Sequence, residues 1–320
     1  MAILLRVADF FFVLRPLIMI PAWSLYVLGA HAPASRRAVA TALVQPGFWC
    51  MTAVLACAYV LNQILDVESD RLNDKGFHLT RGLLRARTMV VVALVAFVGA
   101  SLLYPHAAPV QTGPLIATLL LSLTYSLPPL RLCARPWFDL AANAIGYGGL
   151  AFVLGASAIS RDTVGAWLGA LPWIFLVGAT FLHTTILDVA GDAAAGKRTT
   201  AVAIGVTGSA RLAALLSVTA LVAAVFLFLR GKPLAPALAM TAAMVVFLAA
   251  ALFIERAERR ELAVRMLERT TASALAVRAT TAMVAAMAAW KDPWLLALVV
   301  PIVVAARFYY RGRFELRYPF

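Results

Sequence analysis

Apolar stretches long enough to cross a lipid bilayer recur along the whole chain. A spanning helix needs about 20 mostly apolar residues, and 63% of the 320 residues are hydrophobic while only 13% are charged. Soluble domains are only about half apolar, so this composition excludes a water-soluble core. The sequence therefore predicts an all-α, polytopic membrane bundle. We expect a single domain over residues 1–320, because no linker or low-complexity tract interrupts the pattern.

Hydropathy predicts ten candidate spans. They cover residues 12–31, 47–66, 88–104, 113–127, 138–159, 166–187, 209–229, 235–254, 271–290 and 293–310. The ninth is the weakest, because Arg265, Arg269 and Arg278 run into its start. The expected fold is thus a bundle of nine or ten transmembrane helices.

The distribution of basic residues predicts how the bundle is oriented. With ten spans, all but six of the 28 Lys and Arg residues fall on one side of the membrane. The six exceptions are Arg36, Arg37, Arg161, Arg230, Lys232 and Lys291. Because cytoplasmic loops are enriched in Lys and Arg, we expect the basic side and both termini to be cytoplasmic, in an inner membrane. The net charge of +13 then reflects topology and attraction to membrane lipids, and nucleic acid is not an expected partner.

Acidic and amide side chains cluster at two predicted helix ends. Asn62, Asp66 and Asp70 are four residues apart at the end of the second span, and Asp188 and Asp192 repeat this step at the end of the sixth. Four-residue spacing places side chains on one face of a helix. The topology puts both stripes on the same side of the membrane, and the two segments form a weak internal repeat of the kind that builds a site between two halves.

These stripes offer oxygen ligands and no His or Cys, a set that suits Mg²⁺. Basic residues follow each stripe, including Lys75, Lys197 and Arg198. Acids that hold two metal ions, next to bases that neutralise phosphate charge, are suited to stabilising a leaving diphosphate. The alternative for either stripe alone is a set of solvated acids paired with neighbouring arginines.

A third polar segment follows the fourth span. It contains Tyr125 and Arg131 in YSLPPLRL, and then Asp139 and Asn143 four residues apart. Prolines at a span end also mark an ordinary turn, and Asp139 is equally suited to capping a helix.

Together these segments resemble the UbiA superfamily of intramembrane prenyltransferases. NQILDVESDRLNDKG is similar to the family's first motif, DVAGDAAAGKRT to its second and YSLPPLRL to the segment between them. The resemblance covers residues 15 to about 205 and implies a helical bundle around a central cavity with a cytoplasmic cap. Ala193 stands where the family often has arginine and Cys133 where it often has lysine, and both departures remove positive charge near the expected diphosphate.

The resemblance implies two Mg²⁺ ions on Asn62, Asp66, Asp70, Asp188 and Asp192, and an allylic prenyl diphosphate as donor. The expected diphosphate contacts are Lys75, Arg131, Lys197 and Arg198, and Tyr125 and Asn143 are expected on the side of a lipophilic acceptor. Two other functions stay open at this point. One is phosphoribosyl transfer to a polyprenyl phosphate, and the other is cation transport without catalysis. Transport predicts carboxylates near the middle of the membrane rather than at helix ends.

Overall fold

A computed structural model describes residues 2–32 and 41–315, and its described part consists of helices and connecting turns without a β-strand. Arg36 and Arg37, predicted on the non-cytoplasmic side, lie outside the described residues. The helices are α1 (Ala2–Phe12), α2 (Pro16–Ala30), α3 (Pro46–Leu65), α4 (Val67–Leu72), α5 (Phe77–Thr80), α6 (Ala86–Leu103), α7 (Thr112–Ser126), α8 (Phe138–Asn143), α9 (Ala151–Ser157), α10 (Thr163–Ile186), α11 (Val189–Ala194), α12 (Thr200–Leu229), α13 (Ala235–Ala257), α14 (Leu262–Lys291) and α15 (Trp294–Phe314). A π-helical segment, Ala144–Leu150, joins α8 to α9.

The predicted all-α membrane bundle is confirmed. Within residues 2–32 and 41–315, eight helical segments are long and apolar enough to cross a membrane, and α1 with α2, bent by 47°, make a ninth. The remaining candidate, 113–127, corresponds to α7, which has 15 residues. At 1.5 Å per residue α7 is shorter than a hydrocarbon core of about 30 Å. The segment predicted to be weakest, 271–290, belongs to the long helix α14.

The long helices alternate in direction and bring the two acidic segments to one end of the bundle. α3 and α10 end there, and α2 and α12 begin there. At the opposite end, Asp292 Oδ2 accepts hydrogen bonds of 2.7 Å from Thr41 Oγ1 and Ala42 N, which joins the start of α15 to the loop before α3. Both acidic segments therefore lie at the end of the bundle where α3 and α10 end.

Small residues set how closely the helices approach. A Cβ atom on Gly29 of α2 would lie 1.9 Å from the Phe152 carbonyl oxygen of α9, and one on Gly155 would lie 1.9 Å from that of Tyr26. Packing through glycine is common among membrane helices, since apolar lipid leaves close van der Waals contact as the main attraction. This crossing fixes α2, and hence the position of Arg15 directly before it.

The Gly29→Ala variant is expected to destabilise the bundle by about 1–3 kcal/mol, because its methyl group meets backbone that cannot move aside. Gly99→Ala on α6 is the control, since its added Cβ has nothing within 4 Å. In detergent, the thermal midpoint should fall for Gly29→Ala and stay or rise for Gly99→Ala. Equal midpoints would show that this crossing is not tightly packed.

Candidate functional site

Both acidic segments lie where a long apolar helix breaks into a short one. Asp66 stands between α3 and α4, and Asp188 stands between α10 and α11. The short helices have six residues each and pack against one another. The two breaks therefore bring residues more than a hundred positions apart to one place.

After each short helix the chain turns in the same way. The backbone N–H of Lys75 donates to the Asp70 carbonyl over 2.7 Å, and that of Lys197 donates to the Asp192 carbonyl over 2.8 Å. The internal repeat thus extends to a lysine five residues after each stripe's last aspartate. Sequence analysis named both lysines as diphosphate contacts but did not identify their equal spacing as part of the internal repeat.

All five predicted metal ligands line one cavity of about 150 Å³. The cavity has room for roughly ten water-sized groups. Its lining residues are Arg15, Asn62, Asp66, Ser69, Asp70, Asn73, Lys75, Tyr125, Cys133, Phe181, Thr184, Thr185, Asp188, Asp192, Lys197 and Thr199.

Each acidic segment supplies a lysine that forms an ion pair with an aspartate of the other segment. The Lys75 ammonium, from the first segment, forms an ion pair with Asp188 of the second. In return, Lys197 Nζ of the second segment donates to Asp66 Oδ2 of the first over 2.9 Å. We call these two contacts the reciprocal lysine pairs. Each lysine therefore neutralises a carboxylate of the opposite half.

Asp66 is the most heavily bonded of the four carboxylates. Besides Lys197, its oxygens accept from Arg131 Nη2 at 3.0 Å and Asn62 Nδ2 at 2.8 Å. Asp70 instead pairs with Arg15, whose Nη2 lies 3.3 Å from Asp70 Oδ2. Arg131, from the segment after α7, thus contacts Asp66 but is not among the residues that line the cavity, and its predicted contact with diphosphate stays a prediction.

Asp192 lies at the junction of the two short helices. Its Oδ1 accepts a 3.3 Å hydrogen bond from Asn73 Nδ2 at the end of α4. Gly191 makes this approach possible, because a Cβ atom there would lie 2.1 Å from Asn73 Oδ1. The glycine of DVAGD thus allows α4 and α11 to meet.

Burial and neighbouring charge separate the acidities of these carboxyl groups. Burial raises the pKa of Asp192 to about 6, because the attraction of Lys197 offsets it only in part and Asp188 adds repulsion. Burial also acts to raise the pKa of Asp66, but the Lys197 ammonium and the Arg131 guanidinium outweigh it and hold that pKa below its usual range. Asp66 is therefore the firmly ionised anchor of the cavity.

The remaining polar residues singled out by the sequence differ in their distance from the cavity. Tyr125 lines the cavity, and Asn143 Nδ2 donates to its hydroxyl oxygen over 3.0 Å, which leaves the Tyr125 O–H free to donate elsewhere. Arg198 is exposed and is not brought to the cavity. Asp139 accepts from the backbone N–H of Thr200 over 2.8 Å, so it anchors the start of α12 just after Lys197.

Sequence reasoning missed Arg15 and Asn73 as cavity residues. In the sequence analysis, residue 15 only marks where the family resemblance begins, and Asn73 carries no spacing signal of its own. The two departures from the family pattern also differ in place. Ala193 is exposed, whereas Cys133 is buried and lines the cavity.

The donor set fits magnesium, although the acids are not gathered into a preformed metal cluster. Among residues 2–32 and 41–315, no group of three or more His, Cys, Asp or Glu side chains is close enough to hold a metal ion. Lysine and arginine side chains pair instead with the carboxylates of Asp66, Asp70 and Asp188. Carboxylate and amide oxygens around a polar cavity are nevertheless the ligands that Mg²⁺ prefers.

Comparison with solved structures places this fold among known membrane bundles. A UbiA homologue from Archaeoglobus fulgidus, solved with GPP and Mg²⁺, superposes with a TM-score of 0.64 at 18% identity, covering 86% of this chain and 99% of that one. A UbiA homologue from Aeropyrum pernix K1 gives a TM-score of 0.60 at 16% identity, covering 83% and 94%. At such identities the likeness establishes the fold alone.

Sequence comparison finds closer relatives. Digeranylgeranylglyceryl phosphate synthase of Halobacterium salinarum is 34% identical over 204 residues, which are 60% of this chain and 67% of the relative. Lycopene elongase/hydratase of Haloarcula japonica is 31% identical over 154 residues, so the match spans 46% of this chain and about half, 49%, of that relative. The sequence model of the UbiA prenyltransferase family matches residues 18–270, and this chain belongs to that family.

Proposed function

We propose that this protein transfers a prenyl group from an allylic prenyl diphosphate to a lipophilic acceptor inside the membrane, with Mg²⁺ as cofactor. The observation that carries the proposal is the convergence of two acidic segments and their lysines on one cavity at the end of apolar helices. A polar cavity in that position suits a substrate with a charged head and an apolar tail. The A. fulgidus homologue solved with GPP and Mg²⁺ supports the same type of substrate.

The proposed metal ligands are Asn62, Asp66, Asp70, Asp188 and Asp192, which would hold two Mg²⁺ ions. When bound, Mg²⁺ neutralises charge on the diphosphate and so makes it a better leaving group. Three of these carboxylates, those of Asp66, Asp70 and Asp188, form ion pairs with lysine or arginine, and Asp192 accepts a hydrogen bond from Asn73. Each lysine or arginine therefore has to give up its carboxylate when metal enters.

The displaced cations are the natural diphosphate ligands. The site contains four carboxylates and four cations, and the cations are Arg15, Lys75, Arg131 and Lys197. Metal alone would add positive charge to this cluster, and diphosphate alone would add negative charge. We infer that the two bind together, with the cations moving from carboxylate oxygens to phosphate oxygens.

Catalysis then follows from charge and exclusion of water. The allylic C–O bond breaks heterolytically and its electron pair leaves with the diphosphate, whose developing charge is stabilised by cations fixed around the cavity. Electrons of the acceptor form the new C–C or C–O bond to the allyl cation, and the acceptor afterwards loses a proton. Phe181 and Tyr125 line the cavity beside its polar groups and help to keep water from the cation.

The acceptor is proposed to be an aromatic or isoprenoid lipid. The names of the two relatives, a synthase of a glyceryl phosphate ether and a lycopene elongase, both point to large lipophilic acceptors. The free O–H of Tyr125 is the proposed donor to any polar atom of such an acceptor.

The site is proposed to face the cytoplasm from an inner membrane. Lys75, Arg131 and Lys197 lie at the cavity end, whereas Lys232 lies beyond the far end of α12. This asymmetry follows the enrichment of cytoplasmic loops in basic residues.

Replacing the first aspartate of either acidic segment should abolish prenyl transfer. Asp66→Asn and Asp188→Asn each remove a charged ligand, and we expect prenyl transfer in isolated membranes to fall about 100-fold or more. Asp74→Asn is the matched control, because Asp74 lies in the same segment, its side chain is 75% exposed and it does not line the cavity. Chelation with EDTA should stop wild-type turnover and added Mg²⁺ should restore it. Wild-type rates in folded Asp66→Asn protein would refute the proposal.

The meeting of the short helices should also be needed for activity. Gly191→Ala forces Asn73 away from Asp192, and we expect kcat/KM for the prenyl diphosphate to fall about tenfold through misplaced ligands. Ala193→Ser, exposed on the same short helix, should leave the rate unchanged. Equal rates for both variants would mean that the junction tolerates a shift of α4.

Thiol labelling tests the orientation. In intact cells, a membrane-impermeant maleimide should label Lys232→Cys and leave Asp74→Cys unlabelled until the cells are opened. The opposite pattern would place the cavity on the outer side.

A further inference from the structure

A buried polar cluster joins three distant parts of the chain. Asp9 of α1, His78 of α5 and Tyr309 of α15 are 2%, 3% and 4% exposed. Tyr309 Oη lies 2.6 Å from Asp9 Oδ1 and 3.0 Å from His78 Nε2. Arg313 completes the cluster with bonds of 3.2 Å to Asp9 Oδ1 and 2.8 Å to Asp9 Oδ2.

The direction of each hydrogen bond follows from the available protons. An ionised Asp9 can only accept, so the single hydroxyl proton of Tyr309 is donated to it. The remaining contact requires His78 to donate its Nε2–H to the Tyr309 oxygen. Burial lowers the pKa of His78 to about 4, so the ring is neutral near pH 7 and carries one proton for this bond. The cluster is therefore a directed chain from His78 through Tyr309 to Asp9.

Aromatic rings surround the hydrogen bonds between His78, Tyr309 and Asp9. Phe12 stacks on Tyr309 with ring centroids 4.4 Å apart, and Phe314 meets His78 edge-on at 6.3 Å. Hydrogen bonds shielded from water are stronger and leaving one unpaired is costly. The cluster is thus a rigid connection between α1, α5 and α15.

Helix α5 connects the cluster to Lys75. His78 lies three residues after it, in the short helix α5, and Thr80 Oγ1 of the same helix donates to the Lys75 carbonyl over 2.9 Å. The position of α5 therefore determines where the backbone of Lys75 lies, and so where its ammonium group can reach.

Helix α1 and the bend after it connect the cluster to Arg15. Asp9 fixes α1, and the bend that follows is held to α3 by a 2.8 Å hydrogen bond from Gln63 Nε2 to the Val13 carbonyl. Arg15 leaves this bend with a left-handed backbone, φ 55°, and meets Asp70. A shift of α1 would therefore move the guanidinium of Arg15.

We propose that Asp9, His78, Tyr309 and Arg313 are positioning residues that hold Lys75 and Arg15 at the diphosphate end of the cavity. This inference rests on the proposed function for the identity of the ligand. Three of the four residues, Asp9, Tyr309 and Arg313, lie outside the segment 18–270 that matches the family.

The test compares hydroxyl and ring deletions in the full chain. Tyr309→Phe keeps the stacked ring and removes the bridging oxygen, and His78→Leu removes the donor. Both should weaken calorimetric binding of inorganic pyrophosphate with Mg²⁺ about tenfold and speed trypsin cleavage after Lys75 and Arg81. His78→Gln, whose amide N–H can replace the ring donor, should restore both properties. Tyr104→Phe, which removes a hydroxyl group from the turn after α6 and away from the cavity, should match wild type.

The outcomes separate positioning from general instability. Wild-type binding and cleavage in Tyr309→Phe would overturn the inference. So would a uniform acceleration of cleavage that includes sites after Arg161 and Arg230, because it would indicate loss of overall stability. In a Lys75→Ala, Arg15→Ala background, Tyr309→Phe should cause no further loss of binding. Failure of wild-type protein to bind pyrophosphate would instead count against the proposed function, and the cleavage pattern would still decide on the cluster.

Discussion

The site depends on two ion pairs, each of which joins a lysine of one acidic segment to an aspartate of the other. Lys75 pairs with Asp188 and Lys197 with Asp66, so neither acidic segment is neutralised by its own lysine. Four carboxylates in a cavity at the end of apolar helices would repel one another strongly, since charge there is poorly screened. Reciprocal pairing relieves that repulsion only when both halves are correctly docked. The same contacts that stabilise the ligand-free site therefore also join the halves.

This arrangement explains why the acids lie at helix breaks. The breaks at Asp66 and Asp188 each begin a short helix, and these two helices, α4 and α11, pack against one another. Gly191 then permits contact at Asn73, and Asp139 holds the start of α12 beside Lys197. Backbone geometry thus brings the charged groups of both segments to the cavity.

Much of this was accessible from the sequence, because membrane helices and four-residue acidic stripes have strong periodic signals. The helical fold, the shared end of the two stripes and the approach of Arg131 follow from hydropathy, spacing and the family resemblance. The sequence predicted nine or ten spans, and in the described part of the structure the number depends on whether α7, with only 15 residues, is counted as a span. The single domain over 1–320, the ligand roles of the five polar residues and the number of metal ions stay predictions.

The remaining features depend on contacts between distant residues, which local spacing does not encode. Arg15 reaches Asp70 through a bend between α1 and α2, and Asn73 meets Asp192 because a glycine stands opposite. Arg198 resembled a phosphate ligand by position in its motif, yet the turn after α11 points Lys197 to the cavity and leaves Arg198 exposed. Side-chain direction at a turn is set by tertiary structure rather than by the motif.

The most direct test is an experimental structure of the protein with Mg²⁺ and an unreactive prenyl thiodiphosphate. We predict metal between the carboxylates of Asp66 and Asp188, and the ammonium groups of Lys75 and Lys197 moved from those carboxylates onto phosphate oxygens. A structure in which both reciprocal lysine pairs persist while the diphosphate binds elsewhere would contradict the account.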